Sequence, residues 1–147
     1  MFGENDNSGK IMLDLAKELD LLVPIIKLCD ETRFAGLKGK VHLKQWRYNG
    51  MLRHMGLKIE GKSKGKLKAG ELMVKNAKNA GLYDEIIKMP EKAKKIASEK
   101  DLKISIWELN GLLNSLGLEI EKIVGTKFPV PKEDQKYREL EASFNTN

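Results

Sequence analysis

Side chains suited to covalent or metal chemistry are few in this chain and poorly spaced for it: one cysteine, Cys29, and two histidines, His42 and His54. A nucleophilic cysteine needs a base within reach, and no histidine pattern accompanies Cys29. It sits in the apolar run IIKLCDE and reads as a small buried hydrophobe. The histidines have neither a cysteine nor an acid cluster beside them, so they do not make a zinc-ligand pattern. Ser8-Gly9-Lys10-Ile11 matches only the tail of a phosphate-binding loop, without the earlier glycine, the Ser/Thr after the lysine, or a preceding strand. Asp14, Glu18, Asp20, Asp84 and Glu85 fall on amphipathic helices, where a solvated face accounts for them. No catalytic residue, metal or cofactor is expected, and the chain is not expected to be an enzyme.

The chemistry that the spacing does favour is phosphate binding. GKSKGKLK sets Lys62, Lys64, Lys66 and Lys68 at alternate positions, with Gly61 and Gly65 available for turns. In an extended strand those ammonium groups share one side and meet phosphates with salt-dependent, sequence-independent affinity. A solvated linker is the competing reading of the same residues. Just before them, Lys44, Arg47, Asn49, Arg53 and His54 lie at or along the outer side of a predicted helix. Two arginines there suit guanine edges or phosphates, and Asn49 an adenine edge. These nine residues are the expected DNA-binding set.

The elements that carry them come in two copies. The shift that lays Gly9 on Gly70 also aligns Met12 with Met73, Ala16 with Ala77, Lys17 with Lys78, Leu21 with Leu82, and Ile25-Ile26-Lys27 with Ile86-Ile87-Lys88. Further along it aligns Trp46 with Trp107, Asn49-Gly50 with Asn110-Gly111, Gly56-Leu57 with Gly117-Leu118, and Ile59-Glu60 with Ile120-Glu121. Residues 9–60 and 70–121 are therefore read as a tandem duplication at roughly 30% identity.

Within each copy the apolar period is helical. First helices are predicted at about 9–20 and 70–80, the second of them closed by Gly81. Second helices follow at about 22–34 and 83–99, the latter bent or split by Pro90. The third helix of copy two carries a capping box, Ser105 with Glu108, a staple, Ile104 with Leu109, and an end signal, Gly117-Leu118. Copy one keeps the end signal, Gly56-Leu57, but has Lys44 at the cap. LKIEGKSKGKLK and LEIEKIVGTKFPV then read as two extended runs around a turn. The segment EKAKKIASEKDLKISIWELNGLLNSLGL also reads as helix–turn–helix, with Asp101 where a turn glycine is usual.

The third-helix faces are the most specific feature. Ile106, Leu109, Leu112, Leu113 and Leu116 gather on one side, and Trp107 and Gly111 lie opposite, as Trp46 and Gly50 do in copy one. A mid-helix glycine costs about 1 kcal/mol relative to alanine, so its recurrence implies a close approach there. Trp46, Gly50, Trp107 and Gly111 are expected to form a packing seam between the copies, across an approximate two-fold axis.

The stretch from Asn110-Gly-Leu-Leu through Leu116-Gly117-Leu118 to Phe128-Pro-Val-Pro-Lys and Tyr137 resembles the C-terminal winged-helix modules of phage antirepressors and related regulators. That resemblance covers about a third of the chain and implies binding of DNA or of a regulator. The expected fold is mostly α: a duplicated three-helix winged-helix or helix-turn-helix unit with small β-wings. The first repeat covers 9–68, the second 70–131, and a helix or tail 132–147.

Composition sets the outer limits. Of 147 residues, 41% are hydrophobic and 33% charged, which suits a soluble globular chain. Two units of this size would be marginal alone, so the copies are expected to pack on each other. A single cysteine excludes an internal disulfide and fits a reducing compartment. LLVPIIKLC is too short and too interrupted to span a membrane, and MFGENDNSGK lacks the basic-then-apolar order of a signal peptide, so a cytoplasmic location is expected. The net charge of +6 favours a polyanionic partner, and copy one carries most of the excess. The expected function is double-stranded DNA binding in transcriptional or replicative control, by a monomeric pseudo-dimer or a homodimer. The alternative is a non-enzymatic protein-interaction adaptor, an antirepressor or assembly subunit.

Overall fold

Six helices follow one another along residues 7–38, 47–62 and 68–125, the parts of the chain that the computed structural model describes. They are α1 (Ser8–Glu18), α2 (Leu22–Lys38), α3 (Tyr48–Ile59), α4 (Lys68–Asn79), α5 (Tyr83–Glu99) and α6 (Leu109–Val124). Their starts and ends follow local rules. α1 buries Ile11, Met12, Leu15 and Ala16 on one stripe, and α5 buries Ile86, Met89, Ala93 and Ala97. Pro24 falls in the first turn of α2, where a missing N–H costs nothing. α4 ends as its sequence predicts: Gly81 takes φ +73°, and the Leu82 N–H donates to the Ala77 carbonyl at 2.8 Å. Pro90 does not split α5, which runs unbroken through it.

The shift that lays residue 9 on residue 70 also carries Leu22 and Lys38, the ends of α2, onto Tyr83 and Glu99, the ends of α5. It carries Tyr48, the start of α3, onto Leu109, the start of α6.

The winged-helix expectation is overturned. Among the described residues there is no strand, and both runs assigned to wings begin as helix: Leu57–Ile59 completes α3, and Leu118–Val124 completes α6. Gly56 and Gly117 do not end their helices; α3 turns out at Gly61 (φ +72°), and α6 at Gly125 (φ +84°). The capping box is not formed either, because α6 starts at Leu109 and Glu108 makes no side-chain cap bond. Nor do α5 and α6 pack as a helix–turn–helix pair; they touch little, and α5 lies mainly on α1. The remainder of each proposed wing (63–67 and 126–130) and the 132–147 tail lie outside the described residues.

The reason is tertiary. α3 and α6 form the centre of the molecule, antiparallel, the start of each beside the end of the other. α1 then packs on α6 and α5, and α4 packs on α3 and α2, with only slight contact inside their own halves. The first helix of each half thus completes the other half. One core results, running from Ile11 to Ile120, with Met12, Ile25, Ile26, Met51, Leu52, Met55, Met73 and Met89 wholly enclosed. Each such side chain contributes about 1.5–3 kcal/mol on burial, and neither half encloses its own share.

Candidate nucleic-acid interface

The backbone of α3 meets that of α6 at two matched points. A Cβ on Gly56 would stand 2.5 Å from the Cα of Asn110, and one on Gly117 would strike Asn49 in the same way. Only glycine permits this approach. Gly9 and Gly70 repeat the theme on the outer helices: Gly70 abuts the His54 carbonyl, and Gly9 abuts Glu119 and the Ser115 carbonyl. At this spacing each helix receives a cap from the other half. Glu121 Oε2 accepts from the Asn49 N–H at 2.9 Å, and Glu60 Oε1 accepts from the Asn110 N–H at 2.8 Å and from its side-chain amide at 2.7 Å. The carboxylates do what Arg47 and Glu108 at the N-cap positions do not, satisfying a first-turn amide and facing the positive end of the helix.

This arrangement engages three of the nine residues of the expected DNA-binding set, Arg47, Asn49 and Lys62. Arg47 donates from Nε to Glu121 Oε1 at 2.9 Å, with Nη2 at 2.7 Å from the same oxygen. Asn49 turns inward and donates from its side chain to Asn114 Oδ1 at 3.1 Å. Lys62 is bound to Glu108 and lies 3.3 Å from Glu60. His54 is half-buried on α3; burial, then the Arg53 charge, holds its pKa below the usual histidine value, and its Nδ1 has no hydrogen-bond partner among the described residues. Arg53 is exposed. Lys44, Lys64, Lys66 and the Lys68 side chain lie outside the described residues.

Of the expected Trp–Gly seam, Gly111 abuts Ile106 of its own segment, Trp107 is 45% exposed and Gly50 is buried, while Trp46 lies outside the described residues. The joining residues are Asn49, Gly56, Glu60 and their counterparts Asn110, Gly117 and Glu121. Their identity between the copies is the sequence signal for this joint.

What the symmetry leaves unequal is charge. At matched positions, α3 with the Glu60 that follows it and α4, packed side by side, carry Arg53, Lys58, Lys75 and Lys78 against Glu60 and Glu71. Their counterparts in α6 and α1 carry Lys10 and Lys17 against Glu119, Glu121, Asp14 and Glu18. One pair is basic and its counterpart acidic. No protein-family model, curated protein or solved structure matches this chain. The site must be read from its chemistry.

That chemistry is electrostatic. Among the described residues no group of three or more His, Cys, Asp or Glu side chains is placed to hold a metal ion. No helix among them is long and apolar enough to cross a membrane. A second polar cluster lies inside: Tyr48 Oη donates to Asp30 Oδ1 at 2.7 Å, and Asn76 donates to Thr32 Oγ1 at 3.0 Å, tying α2 to α3 and α4. Asp30, Thr32 and Tyr48 are fully buried, which suits a structural tie. Cys29 beside them is enclosed as its sequence predicts; burial, then the Asp30 and Glu121 charges, pushes its thiol pKa well up.

Proposed function

We propose that this chain is a non-catalytic DNA-binding protein of the cytoplasm whose basic α3–α4 pair makes the phosphate contacts. The observation that carries this reading is the charge inequality between two helix pairs that are otherwise matched position for position. Packing needs are alike in the two pairs, so packing does not account for the excess of lysine and arginine on one. A phosphate backbone does. Base reading by Arg47 and Asn49 forms no part of the proposal, because both are engaged within the fold.

The test is salt dependence. With about four phosphates neutralised, affinity for a labelled duplex falls on the order of 100-fold between about 50 and about 200 mM salt. Absence of any binding at low salt overturns the reading.

A second reading, a protein-interaction adaptor, is favoured by one observation: Ile87, Leu118 and Ile123, all in the second half, are 39–43% exposed. Large apolar side chains at a surface suit a protein partner. In that case Leu118→Asp abolishes partner capture while Arg53→Glu leaves it intact.

A further inference from the structure

We infer that Lys62, Glu108, Asn76 and Thr32 are pairing determinants, which make each half of the chain recognise the opposite half and reject a copy of itself. The duplication creates the need for that choice. Gly56 meets Asn110 as Gly117 meets Asn49, and Glu60 caps α6 as Glu121 caps α3. These residues are the same in both halves, so two first halves, or two second halves, would close the same joint. The glycines and caps supply adhesion without selectivity.

Selectivity lies where the matched contacts differ. At one end of the α3–α6 pair, Arg47 binds Glu121 directly. At the other end the counterpart of Arg47 is an acid, Glu108, and Lys62 bridges it to Glu60 by binding Glu108 and lying 3.3 Å from Glu60. A second half paired with its own kind would set Glu108 against Glu121, with Ile123 in place of the bridging lysine. Like charges without a bridge oppose that pairing.

The outer helices repeat the choice. Asn76 on α4 donates to Thr32 Oγ1 on α2 at 3.0 Å, and the buried Thr32 hydroxyl donates in turn to the Leu28 carbonyl at 2.7 Å. The matched positions on α1 and α5 hold Leu15 and Ala93, both buried, on helices that pack together. Polar meets polar on one side of the molecule, and apolar side chains take the matched places on the other. In a pair of second halves Asn76 would have Ala93 where Thr32 stands, and in a pair of first halves Thr32 would have Leu15 where Asn76 stands. A polar group deprived of its partner is the repulsive element that specificity requires.

The experiment uses the full chain with a site-specific protease sequence inserted between Lys64 and Gly65, so that cleavage leaves every determinant in place. The cut protein is unfolded in urea and refolded, and native mass spectrometry distinguishes unlike pairs from like ones by mass. Unlike pairs are expected to dominate, with like pairs about 10-fold or more below statistical proportion. Glu108→Arg combined with Asn76→Leu gives the second half the residues that Arg47 and Leu15 supply in the first. That double variant is expected to raise pairs of second halves about 10-fold. Statistical proportions in the unsubstituted protein overturn the inference, as does a double variant that leaves pairs of second halves as scarce as before. Cut halves that fail to reassemble overturn it too, because the joint then lacks recognition.

Discussion

Glu121 Oε2 stands 2.9 Å from the backbone nitrogen of Asn49, so that a carboxylate near the end of α6 closes the first turn of α3. Glu60 does the same for Asn110 at the other end of the helix pair. Because the caps come from the opposite half, the stability of each helix is coupled to assembly of the halves. Glu121→Ala leaves the Asn49 amide and the Arg47 guanidinium without their acceptor, and is expected to cost about 2 kcal/mol. Urea denaturation reads this as a lower midpoint; an unchanged midpoint counts against the trans cap.

Gly56→Ala and Gly117→Ala provide a second measurement. At an exposed helix position the change would stabilise by up to about 1 kcal/mol. Here the added methyl meets the backbone of Asn110 or Asn49, which cannot swing aside as a side chain can. Each substitution is expected to destabilise by about 3 kcal/mol or more, the opposite sign to the propensity effect. Thermal melts decide between them.

The matched lysines Lys17 and Lys78 allow an internally controlled test of the DNA reading. They occupy corresponding positions on α1 and α4, one on the acidic pair and one on the basic pair. Lys78→Glu is expected to lower duplex affinity about 10-fold and to flatten the salt dependence by about one phosphate's worth. Lys17→Glu should change it far less. Equal effects would show that only total charge matters.

His54 makes stability depend on pH. Its folded-state pKa lies below the ordinary value of 6.5, because burial and Arg53 disfavour the charged ring. A depressed histidine pKa means that the unfolded chain takes up the proton first. Stability is therefore complete above about pH 6.5 and declines as the pH falls through the folded-state pKa. Relative to His54→Gln, which stays neutral, the wild-type denaturation midpoint should hold constant above this window and fall within it.

Cys29 is expected to resist a thiol reagent in the native protein, since it is enclosed in the core with its pKa raised well above normal. Labelling should track global unfolding in urea. Rapid native labelling would contradict the packing of α2.

The helical content was legible in the sequence because helices obey short-range rules. Apolar spacing marks the stripes of α1 and α5, and Gly81 marks the end of α4. Gly56-Leu57 and Gly117-Leu118 misled for the same reason. A glycine before an apolar residue is a local stop pattern, but glycine also serves where another backbone must come close. The candidate site was legible only in part. Arg53 is exposed as expected, while Arg47 is bound by Glu121, 74 residues away, and Lys62 by Glu108, 46 residues away.

By itself, the sequence determined the helical periodicity, the repeated positions and the excess of positive charge, all of which are properties of neighbouring residues or of composition. Tertiary structure alone decided that α1 and α4 change partners between the halves, that Glu60 and Glu121 cap helices they do not belong to, and which basic side chains remain exposed. The reason is physical. A stripe of apolar residues specifies that a face must be buried but not what buries it, and a charge specifies a cost of desolvation but not which opposite charge will offset it.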